Sequence, residues 1–299
     1  MRSVICNRPA ARRTSCRPEF WAACLTVALF AAPAVARDDD PRTKANTSRA
    51  AREEALRAMP LARLDRDART KASAVIKNVS IYRRLPVQTI DCDPELYAFL
   101  MRHPEVVVNL WQVMGITRMQ LDPLDPTRYK VADGEGTKGQ MEYLFTSGNV
   151  NVIYSEGTYD GPLYPRTVRG KCLMLLRSDY RRGANGRYSI VTQLDTFLAV
   201  DNLGVEVLAK TFQPLIGKAA DHNFTETATF VSNLSRTAET NEDGLLRLGR
   251  KLNRVDATTR ERFLELVSAV PQRLAMAEIE AMPTSAALMS PPRKTGAKQ

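Results

Sequence analysis

The side chains able to do chemistry are few and far apart in this sequence. Arg83 interrupts an otherwise apolar extended segment between Ile81 and Leu85. If buried, its guanidinium needs a carboxylate or a ligand anion as its partner; the alternative is a bulge or strand edge that turns it to water. Asp133 lies on the apolar parity of its own segment and is a candidate carboxylate. Asp221-His222, with Glu226 four residues on, sets a histidine beside carboxylates at helical contact spacing. That pairing could serve as a general base, but the sequence puts no nucleophilic Ser or Cys beside it. The other histidine, His103, precedes Pro104 and reads as a helix-end residue. Two histidines in 299 residues, and no Cys-x-x-Cys, exclude a His-rich or Cys/His metal centre. Gly134-Glu-Gly136 and Gly157 read as turn glycines, since no Gly-rich loop with Lys-Ser/Thr feeds a helix. No cofactor motif is present.

The first 36 residues set the expected compartment. Arginines run through residues 2–17, an apolar run spans Phe20–Ala32, and Ala34-Val35-Ala36 precedes Arg37. This is the layout of a secretory signal peptide cleaved near Ala36, with an apolar run too short for a bilayer span of ~20 residues. The expectation is an exported protein, periplasmic or secreted. Removing the segment takes away five Arg and one Glu and lowers the formal net charge from +10 to +6. Lys and Arg are then interleaved with Asp and Glu, without the basic stripe of a nucleic-acid binder. It also removes Cys6, Cys16 and Cys24, leaving Cys92 and Cys172 as a candidate disulfide if their Cα atoms lie within about 7 Å. Two buried thiols are the alternative.

The elements that must position these groups follow from periodicity. Residues 37–48 are charged and read as a disordered linker. Residues 49–77 read as an N-terminal helical extension, one short and one longer helix packed loosely on the main domain. Val79–Ile90 alternates as a half-buried strand. Asp93-Pro94-Glu95 starts a helix and Pro104–Met114 forms a second. Strands follow at Ile116–Leu121, Arg128–Asp133, Gln140–Thr146, Val150–Thr158, Thr167–Ser178 and Tyr188–Val200, joined by turn-rich segments such as Gly183-Ala-Asn-Gly186. Residues 203–240 carry one apolar stripe of a long helix, with Pro214 as a kink or early turn. Helical segments at 244–252 and 257–281 complete the 241–282 region, the second limited by Pro271. The tail, 283–299, reads as disordered.

A strand (Val79–Ile90), two short helices (Asp93–Met114), antiparallel strands (Ile116–Val200) and one long helix (Leu203–Glu239) make an order of elements that resembles the START and polyketide-cyclase-like (helix-grip, SRPBCC-type) superfamily. The resemblance covers residues 78–240 and rests on order and spacing, because the family has no invariant catalytic motif. It implies an α+β helix-grip fold, a curved antiparallel sheet wrapped on the long helix, here with extra N- and C-terminal helices. It further implies a cavity between sheet and helix for an apolar or lipid-like small molecule.

Sheet alternation puts Val131, Met141, Tyr143, Phe145, Val150, Val152, Tyr154, Cys172, Met174, Leu176, Ile190, Thr192, Leu194 and Leu198 on one inward face, subject to a one-residue register slip in any strand. The candidate ligand-binding residues are Arg83, Tyr143, Tyr154, Met174, Thr192 and Phe212, on the rule that small-molecule pockets are apolar with a few placed polar groups. The expected function is non-catalytic binding of an apolar molecule, without metal, cofactor or nucleic acid, and with peripheral membrane contact as a further partner. The alternatives are a cyclase- or hydrolase-like enzyme using cavity Tyr and Asp groups, or an envelope interaction protein that presents the apolar face of 244–281.

Overall fold

A computed structural model describes residues 44–162, 164, 166–201 and 213–281, the last span without the side chains of 213–216. The expected signal peptide, most of the linker, the start of the long helix including Phe212, and the tail lie outside the described residues. The protein is α+β: an open antiparallel sheet of eight strands and seven α-helices among the described residues.

In chain order the elements are α1 (Arg49–Ala58), a 3-10 turn (Leu61–Arg63), α2 (Arg66–Lys77), β1 (Ile81–Arg84), β2 (Gln88–Asp91), α3 (Pro94–Arg102) and α4 (Pro104–Val113). Then come β3 (Gln120–Pro123), β4 (Arg128–Ala132), β5 (Thr137–Thr146), β6 (Val150–Tyr159), β7 (Val168–Arg182) and β8 (Tyr188–Asp201). The last described elements are α5 (Gln213–Thr240), α6 (Glu242–Gly249) and α7 (Ala257–Ala281). The strand order is β1-β8-β7-β6-β5-β4-β3, with β2 also paired to β8. The single strand expected over Val79–Ile90 is therefore two short strands on one partner. Pro86 lies between them and has no N–H to donate to the ladder.

Helix starts follow local chemistry. The Asp65 carboxylate accepts from Ala68 N at the head of α2, and the Asp93 carboxylate from Leu96 N at the head of α3. Pro94 and Pro104 occupy first-turn positions of α3 and α4, where a missing N–H costs nothing. Pro214 sits in the first turn of α5. Pro271 does not end its helix; α7 runs through it to Ala281.

Both faces of the sheet are covered. Cross-strand partners share a face, so the register defines two rows. Arg83, Thr196, Met174, Ile153 and Tyr143 form one row, on the face packed by α3–α7. Tyr82, Phe197, Leu173, Tyr154 and Glu142 form the other, on the face covered by α1 and α2. The N-terminal helices are thus not loose appendages. Ala51, Ala55, Ala68, Ala72 and Val75 are buried against Tyr82, Leu173 and Phe197. The end of the expected linker is also engaged: Asn46 exchanges both backbone hydrogen bonds with Arg84 at 2.9 Å, and the Ser48 hydroxyl caps α1.

This two-sided burial corrects part of the expected inward face. Val150, Val152 and Tyr154 point toward α1 and α2, while Asn151, Ile153 and Ser155 point the other way. A bulge between Tyr143 and Phe145 swings Phe145 onto the α1–α2 side as well. Gly157 is not a turn glycine. It lies inside β6 opposite Gly139, and a Cβ on Gly157 would come within 2.5 Å of the Lys138 carbonyl oxygen.

Candidate functional site

The structure brings three of the six candidate ligand residues into one row across the sheet and uses each for another contact. Arg83 pairs with Asp221 of α5, Nε to Oδ1 at 2.8 Å with Nη2 on the second oxygen. Its carboxylate partner is therefore Asp221, not Asp133. The Asp133 Oδ1 instead accepts from the backbone N–H of Glu135 and Thr137 at 2.7 and 2.8 Å, closing the β4–β5 turn. Tyr143 donates its hydroxyl to the Met101 carbonyl at 2.8 Å. Met174 packs with Leu85, Leu194 and Phe224. Thr192, on the same face, is 1 % exposed and donates to the Gln88 carbonyl at 3.3 Å. Tyr154 is on the opposite face, donating to Glu156 Oε2 at 2.7 Å. Phe212 lies outside the described residues.

The other expected groups do not assemble a reactive centre. Asp221 is engaged by Arg83, and His222 Nε2 is buried without a hydrogen-bond partner among the described residues. His103 is at the junction of α3 and α4, its Nδ1 3.0 Å from Glu105 Oε1 and its ring 4.6 Å from that of Phe99. Cys92 and Cys172 are not bonded to each other. Cys92 follows β2, in which Ile90 pairs Ile190, whereas Cys172 pairs Leu198. Positions 190 and 198 of the same strand lie roughly 26 Å apart at ~3.3 Å per residue, far beyond disulfide reach. Among the described residues no group of three or more His, Cys, Asp or Glu side chains is placed to hold a metal ion.

The open space is elsewhere. A cleft of about 1030 Å³ lies where the β7–β8 hairpin, the Asp91–Glu95 connection, the C-terminal half of α5 and the second half of α7 meet. Four contacts fix its walls. The Ser232 and Ser235 hydroxyls of α5 accept from the backbone N–H of Asp91 and Asp93 at 3.2 and 3.0 Å. Arg273 of α7 grips the Asp93 carboxylate with two 2.8 Å bonds, and Arg187 of the hairpin reaches Glu239 of α5 at 3.0 Å. The Asp93 carboxylate thus caps α3 and anchors α7 at once.

The lining is amphipathic. Tyr188, Val270, Leu274, Met276 and Ala277 supply apolar surface. Of the arginines, Arg182, Arg187 and Arg273 are matched by Glu280, Glu239 and Asp93, while Arg236 on α5 has no carboxylate within ion-pair distance among the described residues. Cys92 also borders the cleft. Burial pushes its thiol up to about 12, with a smaller opposing effect from the Ser235 hydrogen bond. It stays protonated at neutral pH and is not a nucleophile. Sequence reasoning recognised the Gly183–Gly186 turn and the Asp93 cap, but no spacing signal joins residues as distant as Asp93 and Arg273.

An open antiparallel sheet packed by helices on both faces, with a cleft where hairpin meets helices, defines an α+β protein. No protein-family model matches the chain, and no curated protein does. Solved structures with some likeness include a conserved protein from Geobacillus kaustophilus, 11% identical with a TM-score of 0.31. Another is an uncharacterized protein from Rhizobium leguminosarum, 10% identical with a TM-score of 0.28. Each match covers 48% of this chain and 93% of the other. No helix among the described residues is long and apolar enough to cross a membrane.

Proposed function

We propose that this is an exported, non-catalytic binding protein of helix-grip type that holds a lipid-like small molecule in the cleft between the sheet, α5 and α7. The observation that carries this reading is the cleft itself: about 1030 Å³, with an apolar patch of Tyr188, Val270, Leu274, Met276 and Ala277 in a polar lining, and with Arg236 lacking a carboxylate partner among the described residues. Small-molecule sites run to about 300–1,000 Å³, mostly apolar with a few placed polar groups. The apolar part of the ligand lies along Tyr188, Leu274 and Met276, and a polar end meets Arg236. The helix-grip assignment is supported by α5, which runs along the sheet face opposite α1 and α2 and is tied to it by Arg83–Asp221 and by Gln88 Nε2 donating to the Thr225 hydroxyl at 3.1 Å.

The test is titration of the full chain with a naturally fluorescent polyene fatty acid, in the wild type and in Ala277→Trp, which fills the cleft from α7. Saturable one-to-one binding that weakens at least ~10-fold in the variant, about 1.4 kcal/mol, is the expected result. Absence of saturable binding, or equal binding by both proteins, overturns the proposal.

A further inference from the structure

We propose that the end of α7, residues 274–281, is a hinged flap that gates the cleft, with the turn at residues 271–273 as its hinge and the β7–β8 hairpin as its latch. As a gate for ligand it rests on the cleft being the binding site; as a moving element it stands alone.

The two halves of α7 differ physically. All its buried residues, Phe263, Leu266, Val267 and Val270, precede Pro271. From 272 to 281 no residue is buried, and Met276 and Ile279 are 65 % and 67 % exposed. Proline has no N–H to offer the Val267 carbonyl, and its ring crowds that turn, so the helix is weakest there. Arg273 braces the same turn: its Nη2 donates to the neighbouring Leu266 carbonyl at 3.3 Å while the same side chain grips Asp93. Pro271 weakens this turn, Arg273 clamps it to α3, and the flap is the helix beyond the clamp.

The flap is held down by polar contacts of a kind that opens easily. Arg182 pairs with Glu280 at 2.8 Å and donates to the Ala277 carbonyl at 3.3 Å, and Arg187 pairs with Glu278 at 3.5 Å. These ion pairs are solvent-exposed, so each contributes little and is weakened by salt. The closest approach is at Gly186, whose φ of +79° suits only glycine well. A Cβ there would lie 2.2 Å from the Ala277 carbonyl oxygen. Met276, Ala277 and Glu280 belong to both the flap and the cleft lining. Bending the helix beyond the Arg273 clamp breaks the latch, costs little apolar burial, carries Leu274, Met276 and Ala277 away and uncovers Tyr188 and Val270. Low local stability of this kind is the usual property of elements that move.

Amide hydrogen exchange on the full chain tests the flap, and stopped-flow release of the bound polyene fatty acid tests the gate. In Arg182→Ala and in Gly186→Ala, exchange over 274–281 should rise about two- to fivefold, the range of a lost exposed ion pair, while 263–270 keep their protection. Raised salt should act the same way on the wild type. Pro271→Ala, which restores the missing donor, should slow exchange in the flap. Probe release should rise with flap exchange across the variants. Exchange over 274–281 that ignores the latch variants, or rises equally over 263–270, overturns the flap. A latch-sensitive flap with no probe binding overturns the cleft assignment but leaves the flap standing. Probe release that is indifferent to the latch overturns the gate.

Discussion

Asp195 is the buried charge on which the N-terminal half of the fold turns, and removing it has a calculable cost. It is 0 % exposed on β8, facing α1 and α2. Its carboxylate accepts from the Tyr82 hydroxyl at 2.7 Å, Arg84 Nε at 2.8 Å and Arg177 Nη2 at 3.0 Å. The same arginines reach Glu54 of α1 at 2.8 and 3.2 Å, and Arg84 Nη2 donates to the Ala51 carbonyl at 3.3 Å. Two cations and two carboxylates thus balance, and the network fastens α1 to the sheet. Asp195→Ala leaves both guanidiniums half-satisfied, with Arg177 Nε already buried without a partner. Breaking a buried pair from one side costs about 3–5 kcal/mol, against a total stability of about 5–15 kcal/mol for a domain. Urea unfolding followed by far-UV circular dichroism should show that loss, and hydrogen exchange should show α1 losing protection first. A triple change of Asp195, Arg84 and Arg177 to Leu, Met and Met should recover part of it, since replacing a whole buried cluster with apolar groups is often neutral. A loss below about 1 kcal/mol for Asp195→Ala, or a triple variant worse than the single, refutes the reasoning.

Three further outcomes follow from the same structure. Burial raises the Cys92 thiol to about 12 and also raises the Tyr97, Tyr129 and Tyr143 hydroxyls. The unfolded chain releases these protons first. These groups add no pH dependence below the free thiol's range, and their contribution falls as pH rises from about 9 toward 12, by up to ~1.4 kcal/mol per unit for each group. Thermal unfolding across that range checks the sign. Because no bond joins Cys92 and Cys172, reductant should change neither electrophoretic mobility nor melting temperature, and Cys92 should resist alkylation until the chain is unfolded. If the first 36 residues are a cleaved signal, the intact mass of protein recovered from the producing cell should correspond to a chain starting at Arg37. A full-length mass would contradict export.

Much of the element order was legible because its signals are local. Asp93-Pro94 marked the head of α3, and the Gly183–Gly186 turn marked the β7–β8 hairpin. What failed was the facing of strands buried on both sides. A strand under two layers carries apolar residues at both parities, so alternation cannot choose a face. In β6, Val152 and Tyr154 compete with Ile153, and α1 and α2 take the first two. The bulge after Tyr143 then reverses Phe145 with no sequence signal of its own. Arg83 stood out as a charge in an apolar run, but Asp133 was the carboxylate considered for it, because periodicity within one strand cannot reach across to Asp221. The cleft was the least legible feature. Its walls come from four separate segments, and ion pairs such as Asp93–Arg273 bring them together only in the folded chain.

Native mass spectrometry of the protein taken directly from the cell that makes it tests the central claim most directly. The account predicts a single lipid-like mass adduct, released on denaturation and absent from Ala277→Trp. An unliganded mass in wild type and variant alike, from protein handled without detergent, would contradict it.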